Sequence, residues 1–327
     1  MKAIVYEHYG PPGVLELKDL PKPVPRDHEL LIRVRAASVS SVDWRARSLQ
    51  MPPGFGLLGR LVFGIFGPRQ PILGTELAGE VESVGRQVTH FKVGDQVFAF
   101  PGSRMGCHAE YRCMPADGAV ALKPSTLSHE QAAALSFGGA TMLDFYRRAA
   151  LRSGEHVLVN GSSGTVGTAA VQLAKHFGAR VTAVCSAANA DLLRSIGADE
   201  VIDYAKVDFA STGEIYDLIV DTVGNAPFSR CGASLSSGGR LLAIVAGLSE
   251  LLKLPWIALT SDKKVIAGPA AERPALVHEL RRLAEAGRFT PVVDRCYPFE
   301  QAREAHAYVD QGHKRGNVVL RMGAAAS

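Results

Sequence analysis

The sequence is short of several features that define whole classes of protein. Its 327 residues hold five cysteines, Cys107, Cys113, Cys185, Cys231 and Cys296, and no two stand in C-x-x-C spacing. That odd, scattered set suits reduced thiols in a cytoplasm. Charged residues make up only 21% of the chain, and the formal net charge of +4 is evenly spread. So weak a balance gives no case for a nucleic-acid or membrane-surface partner. Long apolar runs are missing too. The longest, "FGLLGRLVFGIFG" from Phe55 to Gly67, is broken by Arg60 and several glycines. It falls short of the roughly 20 residues that span a bilayer. The opening "KAIVYEHYG" reads as a strand rather than the apolar core of a secretion signal. The expectation is a cytoplasmic protein with no membrane span. Its ten histidines show no i, i+4 pairs, which gives no sign of a helix-borne metal site.

What is present is a change of rhythm along the chain. The first 120 or so residues are β-rich runs ("KAIVYE", "LLIRVRAASV", "LAGEVESVG", "DQVFAF") separated by "GPPG", "PKPVPRD" and "KVGD". This predicts an antiparallel, barrel-like unit. From about Ser128, strands alternate with helices: one helix over "SHEQAAALSFGGATMLDFYRRAA", then "HVLVNG", "TVGTAAVQLAKHFG", "RVTAVCS", "ADLLRSIG", "EVIDY", "DLIVDTVG" and "GRLLAIVAG". Strands apolar on both faces between helices predict a covered parallel sheet. A helix "RPALVHELRRLAEAG" and the strand "NVVLRM" follow, and the tail "GAAAS" carries no pattern.

The stretch "VLVNGSSGTVG", Val157 to Gly167, joins a β-branched strand to a helix through three glycines. Gly161 and Gly164, with Ser162 and Ser163 between them, let the main chain turn tightly and approach a pyrophosphate. Thr165 and Val166 open the helix whose N-terminus faces that phosphate, and Gly167 lets the helix pack close to the strand. Other readings of the same residues fail. A triphosphate loop needs Gly-Lys-Ser/Thr after the last glycine, and a nucleophile elbow needs G-x-S-x-G. The next strand ends at Cys185 and Ser186 without the acid that holds the 2′-hydroxyl of NAD, and the first acid beyond it is Asp191. Ser186 can donate to a 2′-phosphate, so NADPH is the expected cofactor. The alternative for Ser186 is a cap on the following helix.

The ordered set "PILGTELAGEVESVG", "FKVGDQVFAF", "EQAAALSFGGAT", "VLVNGSSGTVG", "GADEVIDY", "YDLIVDTVG", "GGRLLAIVAG" and "HKRGNVVLRM" runs nearly end to end. It resembles the medium-chain dehydrogenase/reductase superfamily, in its zinc-independent, quinone oxidoreductase-like branch. The resemblance implies a Rossmann doubly wound parallel sheet inserted into a GroES-like antiparallel β-barrel. The corresponding boundaries are a barrel over 1–126, a nucleotide-binding domain over 127–271, and a returning segment over 272–327. Zinc-dependent relatives carry a Cys, a Gly-His-Glu and a third ligand where this chain reads "SVSSVDW", "GTE" and "SFGGAT". Only Glu76 remains of that set, so no metal is expected.

Position by position, the resemblance places Tyr204 and Asn189 near the 2′-phosphate and Thr141 near the nicotinamide. It places Val223 and Gly224, then Val245, Ala246 and Gly247, along the ribose and nicotinamide. Asn317 stands where many relatives have a lysine that meets the cofactor. Ser40 occupies the place of an active-site Asn, while Asp43 keeps a family position and reads equally as a loop-capping acid. The implied reaction is hydride transfer from NADPH to a small apolar electrophile, a quinone or enone, with a proton taken from water. The resemblance extends to enoyl-thioester reductases that carry a tyrosine acid just after "SVSSVDW"; between Asp43 and Pro71 this chain has no tyrosine, which by that resemblance argues against a thioester substrate. The apolar loop over 49–70 has two readings, a mobile lid or a packed contact. Other readings of the whole chain are an NADPH-binding protein with a structural or regulatory role, and an NADP-dependent alcohol dehydrogenase. The resemblance also implies a homodimer formed edge to edge through "GGRLLAIVAG".

Overall fold

The alternating apolar runs of the first third fold into strands. In the computed structural model, which describes residues 1–323, they are β1 (Lys2–Val5), β2 (Glu16–Asp19) and β3 (Glu29–Val39), then β4 (Leu77–Val84), β5 (Gln96–Ala99), β6 (Tyr111–Pro115) and β7 (Val120–Leu122). Between β3 and β4 lie two helices, α1 (Ser41–Ser48) and α2 (Gly56–Phe63). Next come α3 (His129–Ala132) and α4 (Ser136–Arg148). The central section is β8 (His156–Asn160), α5 (Thr165–His176), β9 (Arg180–Cys185), α6 (Ala190–Ser195), β10 (Glu200–Asp203), β11 (Tyr216–Asp221), α7 (Phe228–Cys231), β12 (Leu235–Ala243), α8 (Leu248–Leu251), α9 (Leu254–Thr260) and β13 (Lys264–Ala267). The chain closes with α10 (Pro274–Glu285), β14 (Val293–Pro298), α11 (Ala302–Asp310) and β15 (Asn317–Arg321). Most of the expected "GAAAS" tail lies outside the described residues.

Two compact units result. The first comprises Met1–Met51, Gly56–Phe137 and Glu272–Ser327, and the second Pro52–Phe55 and Gly138–Ala271. In the first, β14-β15-β3-β4-β5-β7 form one sheet in that order, with β6 on β3. The C-terminal strand belongs here because β15 pairs antiparallel with the end of β3, Val318 opposite Val39. β14 and β15 run parallel, the exception in an otherwise antiparallel sheet. The sheet closes over Leu30, Ile32, Val34, Leu77, Val81 and Val97, all buried. Arg47 of α1, fully buried, ties the returning segment down. Its guanidinium donates to both oxygens of Asp310 in α11, at 2.6 and 2.7 Å, and to the Gly10 carbonyl at 2.5 Å. Leaving the buried Arg47 guanidinium without its partner would cost about 3–5 kcal/mol.

The second unit is a six-stranded parallel sheet in the order β10-β9-β8-β11-β12-β13. Its central strands are apolar on both faces, with Val157, Leu158 and Val159 at 0% exposure, because helices cover both sides. Four expectations need correction. β12, the "GGRLLAIVAG" strand, is paired on both sides, so the edge strand on that side of the sheet is β13, "KVIA". The apolar segment between β3 and β4 is not one loop but carries a two-turn helix, α2. The long helix expected from Ser128 is split into α3 and α4, and the first unit runs on to Phe137 rather than ending at 126.

Glu76 explains that split. Its Oε2 accepts the N–H groups of Ser136 and Phe137, both at 2.8 Å, and thereby caps α4 from a distant strand. Its Oε1 accepts from the Ser38 hydroxyl at 2.6 Å. Burial pushes the carboxyl up to about 7, against the pull of those three hydrogen bonds. Between about pH 4.5 and 7 the folded protein therefore holds a proton that the unfolded chain releases. Its contribution to stability falls as pH rises through that window, by at most about 1.4 kcal/mol per pH unit. Glu76→Gln keeps an acceptor for the two main-chain donors and loses the titration. Urea unfolding should show wild type losing stability relative to Glu76→Gln across that range; parallel profiles would mean the buried carboxyl is ionised throughout.

Candidate functional site

In the second unit the chain passes from β8 outward to β10, then crosses to β11 and runs outward to β13. The order reverses between β8 and β11, and loops at the C-terminal ends of those strands frame a crevice where open α/β sheets take ligands. β8 ends at Asn160, and Gly161 turns the chain with φ of +76°. Ser162 is fully buried, and both its N–H and its hydroxyl donate to the Val184 carbonyl, at 3.1 and 2.8 Å. Its side chain thus anchors the turn to β9. Ser163, Thr165 and Val166 flank Gly164, the N-cap of α5, and no side chain caps that helix.

The last two glycines are required for different reasons. A Cβ on Gly167 would stand 2.6 Å from the Ser162 Cα, and closer still to the Gly161 carbonyl. Only a glycine lets α5 approach the turn. A Cβ on Gly164 would meet nothing nearer than the Gly161 carbonyl at 3.8 Å. The fold leaves space there, in front of an uncapped helix, and a phosphate fits that space and that polarity.

A second loop is held by a network that the linear pattern did not reveal. Asp221, buried at the end of β11, accepts from the N–H groups of Val223 (3.1 Å), Gly224 (3.0 Å) and Ala226 (2.8 Å). The Asn160 amide donates to Asp221 at 2.9 Å and to Asn225 at 2.7 Å, while the Thr222 hydroxyl donates to the Asn160 carbonyl. Val223 and Gly224 are thereby fixed beside the glycine turn, and a Cβ on Gly161 would run into Val223. The signal was a buried acid closing an apolar strand just ahead of "TVG". Val245 packs against Gly224, Ala246 follows, and Gly247 caps α8, whose Leu248 N–H reaches the Pro53 carbonyl at 2.9 Å. Thr141 lies in α4, whose Gly138 faces the Thr165 carbonyl at the start of α5.

At the far end of the crevice, Ser186 follows β9 and starts a single 3-10 turn without a side-chain cap bond. Its hydroxyl accepts from the Asn189 amide at 3.2 Å, and the Asn189 Oδ1 is buried without a partner. An orphaned acceptor beside a hydroxyl whose own hydrogen is uncommitted suits a ribose and its substituents. Tyr204 is 61% exposed at the end of β10. Asp203, one residue earlier, stands in register with Cys185. Its carboxylate accepts the Ala205 N–H at 3.1 Å and so belongs to the turn that follows β10. Arg194 is exposed and paired with Asp191 at 3.1 Å.

The remaining sequence candidates lie in the first unit. Ser40 caps α1, and Asp43 completes a capping box with it. One oxygen of Asp43 accepts from the Ser40 N–H (2.7 Å) and hydroxyl (2.6 Å), and the other from the Gly74 N–H at 2.7 Å. Both side chains are buried and committed to holding two loops. Asn317 is buried in β15, and its amide donates to the Val292 carbonyl at 2.9 Å. Near them lies a cavity of about 260 Å3 walled by Tyr6, Val42, Phe63, Phe100, Met105 and Phe137. Thr75 also lines it, and the Thr75 hydroxyl is buried with no partner in the protein. The sequence marks that threonine only as the residue standing where zinc-dependent relatives have the His of Gly-His-Glu. Among the described residues no three His, Cys, Asp or Glu side chains gather as a metal-ligand group.

This combination, a unit with a covered parallel sheet and a glycine turn and a second unit of the β-barrel type, defines a dinucleotide-binding oxidoreductase architecture. Comparisons agree. Residues 26–125 match the family described as alcohol dehydrogenase GroES-like domain, and residues 196–320 match the family described as zinc-binding dehydrogenase. The chloroplast envelope quinone oxidoreductase homolog of Arabidopsis thaliana is 30% identical, over 98% of each chain. The quinone oxidoreductase of Homo sapiens is 30% identical over 95% of this chain and 94% of its own. The structure of the quinone oxidoreductase from Coxiella burnetii superposes with a TM-score of 0.86 at 29% identity, covering 99% of both chains. The chain belongs to the medium-chain dehydrogenase/reductase superfamily, in its quinone oxidoreductase-like branch.

The two glycines separate binding from folding. Gly164→Val should abolish nicotinamide-dinucleotide affinity while changing stability by no more than about 1 kcal/mol, the scale of an N-cap change. Gly167→Ala should instead destabilise by about 1–3 kcal/mol through overpacking. Fluorescence titration and urea unfolding of both variants decide it; a folded Gly164→Val protein with unchanged affinity would contradict the assignment.

Proposed function

We propose that this oxidoreductase of the quinone-reductase type uses NADPH, without a metal ion, to reduce a quinone or an α,β-unsaturated carbonyl. The observation that carries the reading is the empty space before Gly164, set against the uncapped α5 and the close-packed Gly167. When bound there, NADPH supplies the hydride. The glycine turn seats the pyrophosphate, the loop fixed by Asp221 lines the crevice, and Ser186 donates to the 2′-phosphate. In the barrel cavity the apolar walls receive the acceptor and exclude water, and the Thr75 hydroxyl donates to the oxygen on which negative charge collects. Water then supplies the proton. A metal-free site is supported by the donor set, since Glu76 is occupied by three hydrogen bonds. The names of the human and Coxiella relatives support the acceptor class. The homodimer of this reading forms through the edge strand β13, beside Trp256 and Leu259, which are 69% and 84% exposed.

Support for the 2′-phosphate is uncharged. Ser186 offers one hydroxyl hydrogen bond, worth about 1.5–3 kcal/mol to a charged phosphate, while the free atom of Asn189 is an acceptor and gives the phosphate nothing. Arg194 is engaged with Asp191. The preference for NADPH over NADH should therefore be moderate, roughly tenfold to a hundredfold in kcat/KM, since each 1.4 kcal/mol is a factor of ten. Ser186→Asp should reverse it by repelling the phosphate. Steady-state kinetics with 1,2-naphthoquinone and both cofactors, before and after dialysis against EDTA, tests cofactor and metal together. Equal or better use of NADH by wild type, or activity lost with removed zinc, would overturn the reading.

A further inference from the structure

Helix α2 is built inside out. Its Gly59 is buried, and Phe63, one turn on, packs against the barrel core. Leu57, Leu58, Leu61 and Val62 point the other way and are 76%, 51%, 47% and 57% exposed. At 3.6 residues per turn these four span about 140° of the helix circumference. Just beyond the helix, Ile65 is 48% and Phe66 100% exposed, which extends the patch. A contiguous apolar face this large on a folded protein marks an interaction surface.

The charges around it select the partner. From Trp44 to Thr75 the chain has no Asp or Glu, while Arg60 and Arg69 are both exposed and have no acidic partner among the described residues. Arg60 lies at the flank of the apolar arc, where a long cationic side chain reaches into headgroups as its neighbours enter the acyl boundary. Glu7, whose carbonyl approaches Gly67, is paired with Lys18, which it shares with Glu16. No helix among the described residues is long and apolar enough to cross a membrane, so the geometry is that of a helix lying in the interface.

We propose that α2 and the following turn, Leu57 to Phe66, dock the protein on the surface of an anionic lipid bilayer. Val62 stands both on the exposed face and in the wall of the barrel cavity, so docking sets the cavity mouth against the membrane. The inference that a lipid-dissolved acceptor enters there rests on the reading of that cavity given above; the docking itself does not.

The test is flotation of the full-length protein with vesicles of phosphatidylcholine containing about one-third phosphatidylglycerol, and with phosphatidylcholine alone. Wild type should float with the anionic vesicles, bind neutral ones about tenfold more weakly, and detach as salt is raised. Leu57→Glu/Leu61→Glu should weaken flotation about tenfold or more, with NADPH affinity and thermal unfolding unchanged; Arg60→Gln should fall between. Wild type that stays with the unbound fraction, or a double variant that floats equally well, would overturn the proposal. So would light scattering in which the double substitution splits an assembly that never bound vesicles, since the patch would then be an interface between copies of this chain. NADPH affinity is read separately, so a failure of docking is distinguishable from a failure of the reductase reading.

Discussion

The arrangement depends on how near α5 comes to the turn that follows β8. Gly167 has no Cβ, so the helix starts against the Gly161 and Ser162 main chain rather than a side chain's width away. That single approach aims the helix N-terminus across the end of the sheet. Ser162, bonded twice to Val184, keeps the turn from sliding along β9. Asp221 and Asn160 clamp the adjacent loop to the same point. The crevice is therefore made mainly of backbone, which suits a ligand recognised by its phosphates and ribose.

The first unit solves a different problem, with buried ionisable groups. Asp43, Glu76 and Arg47 are all at or near zero exposure, and each connects segments far apart in sequence. Asp43 joins α1 to Gly74, Glu76 joins β4 to the start of α4, and Arg47 joins α1 to α11. Each carboxylate is surrounded by donors, which limits the desolvation cost. The walls of the cavity are what these ties hold in place.

The glycine turn and the parallel sheet were legible because each is written locally, in strand period, glycine spacing and helix pattern, whereas the return of β15 to the first sheet came only from the family resemblance. The edge strand of the parallel sheet was not legible. β13 is four residues long and partly polar, and the more apolar β12 looked the better candidate for pairing outside the chain. The break between α3 and α4 was hidden because its cause, Glu76, lies some sixty residues upstream. Helix α2 was obscured by its own glycines and by apolar residues on the wrong face. Ser40 and Asp43 were visible as a pair, and the structure places both in a capping box; Thr75, which lines the cavity, was visible only as the replacement of a metal-ligand histidine.

Hydrogen exchange with and without NADPH tests the account most directly, because the crevice is made of main-chain amides. Binding should slow exchange at residues 161–168, at 186–190 and at 222–226 together, in the three loops at the C-terminal ends of β8, β9 and β11. Protection confined to other segments, or no protection under saturating NADPH, would contradict the placement of the dinucleotide on the glycine turn.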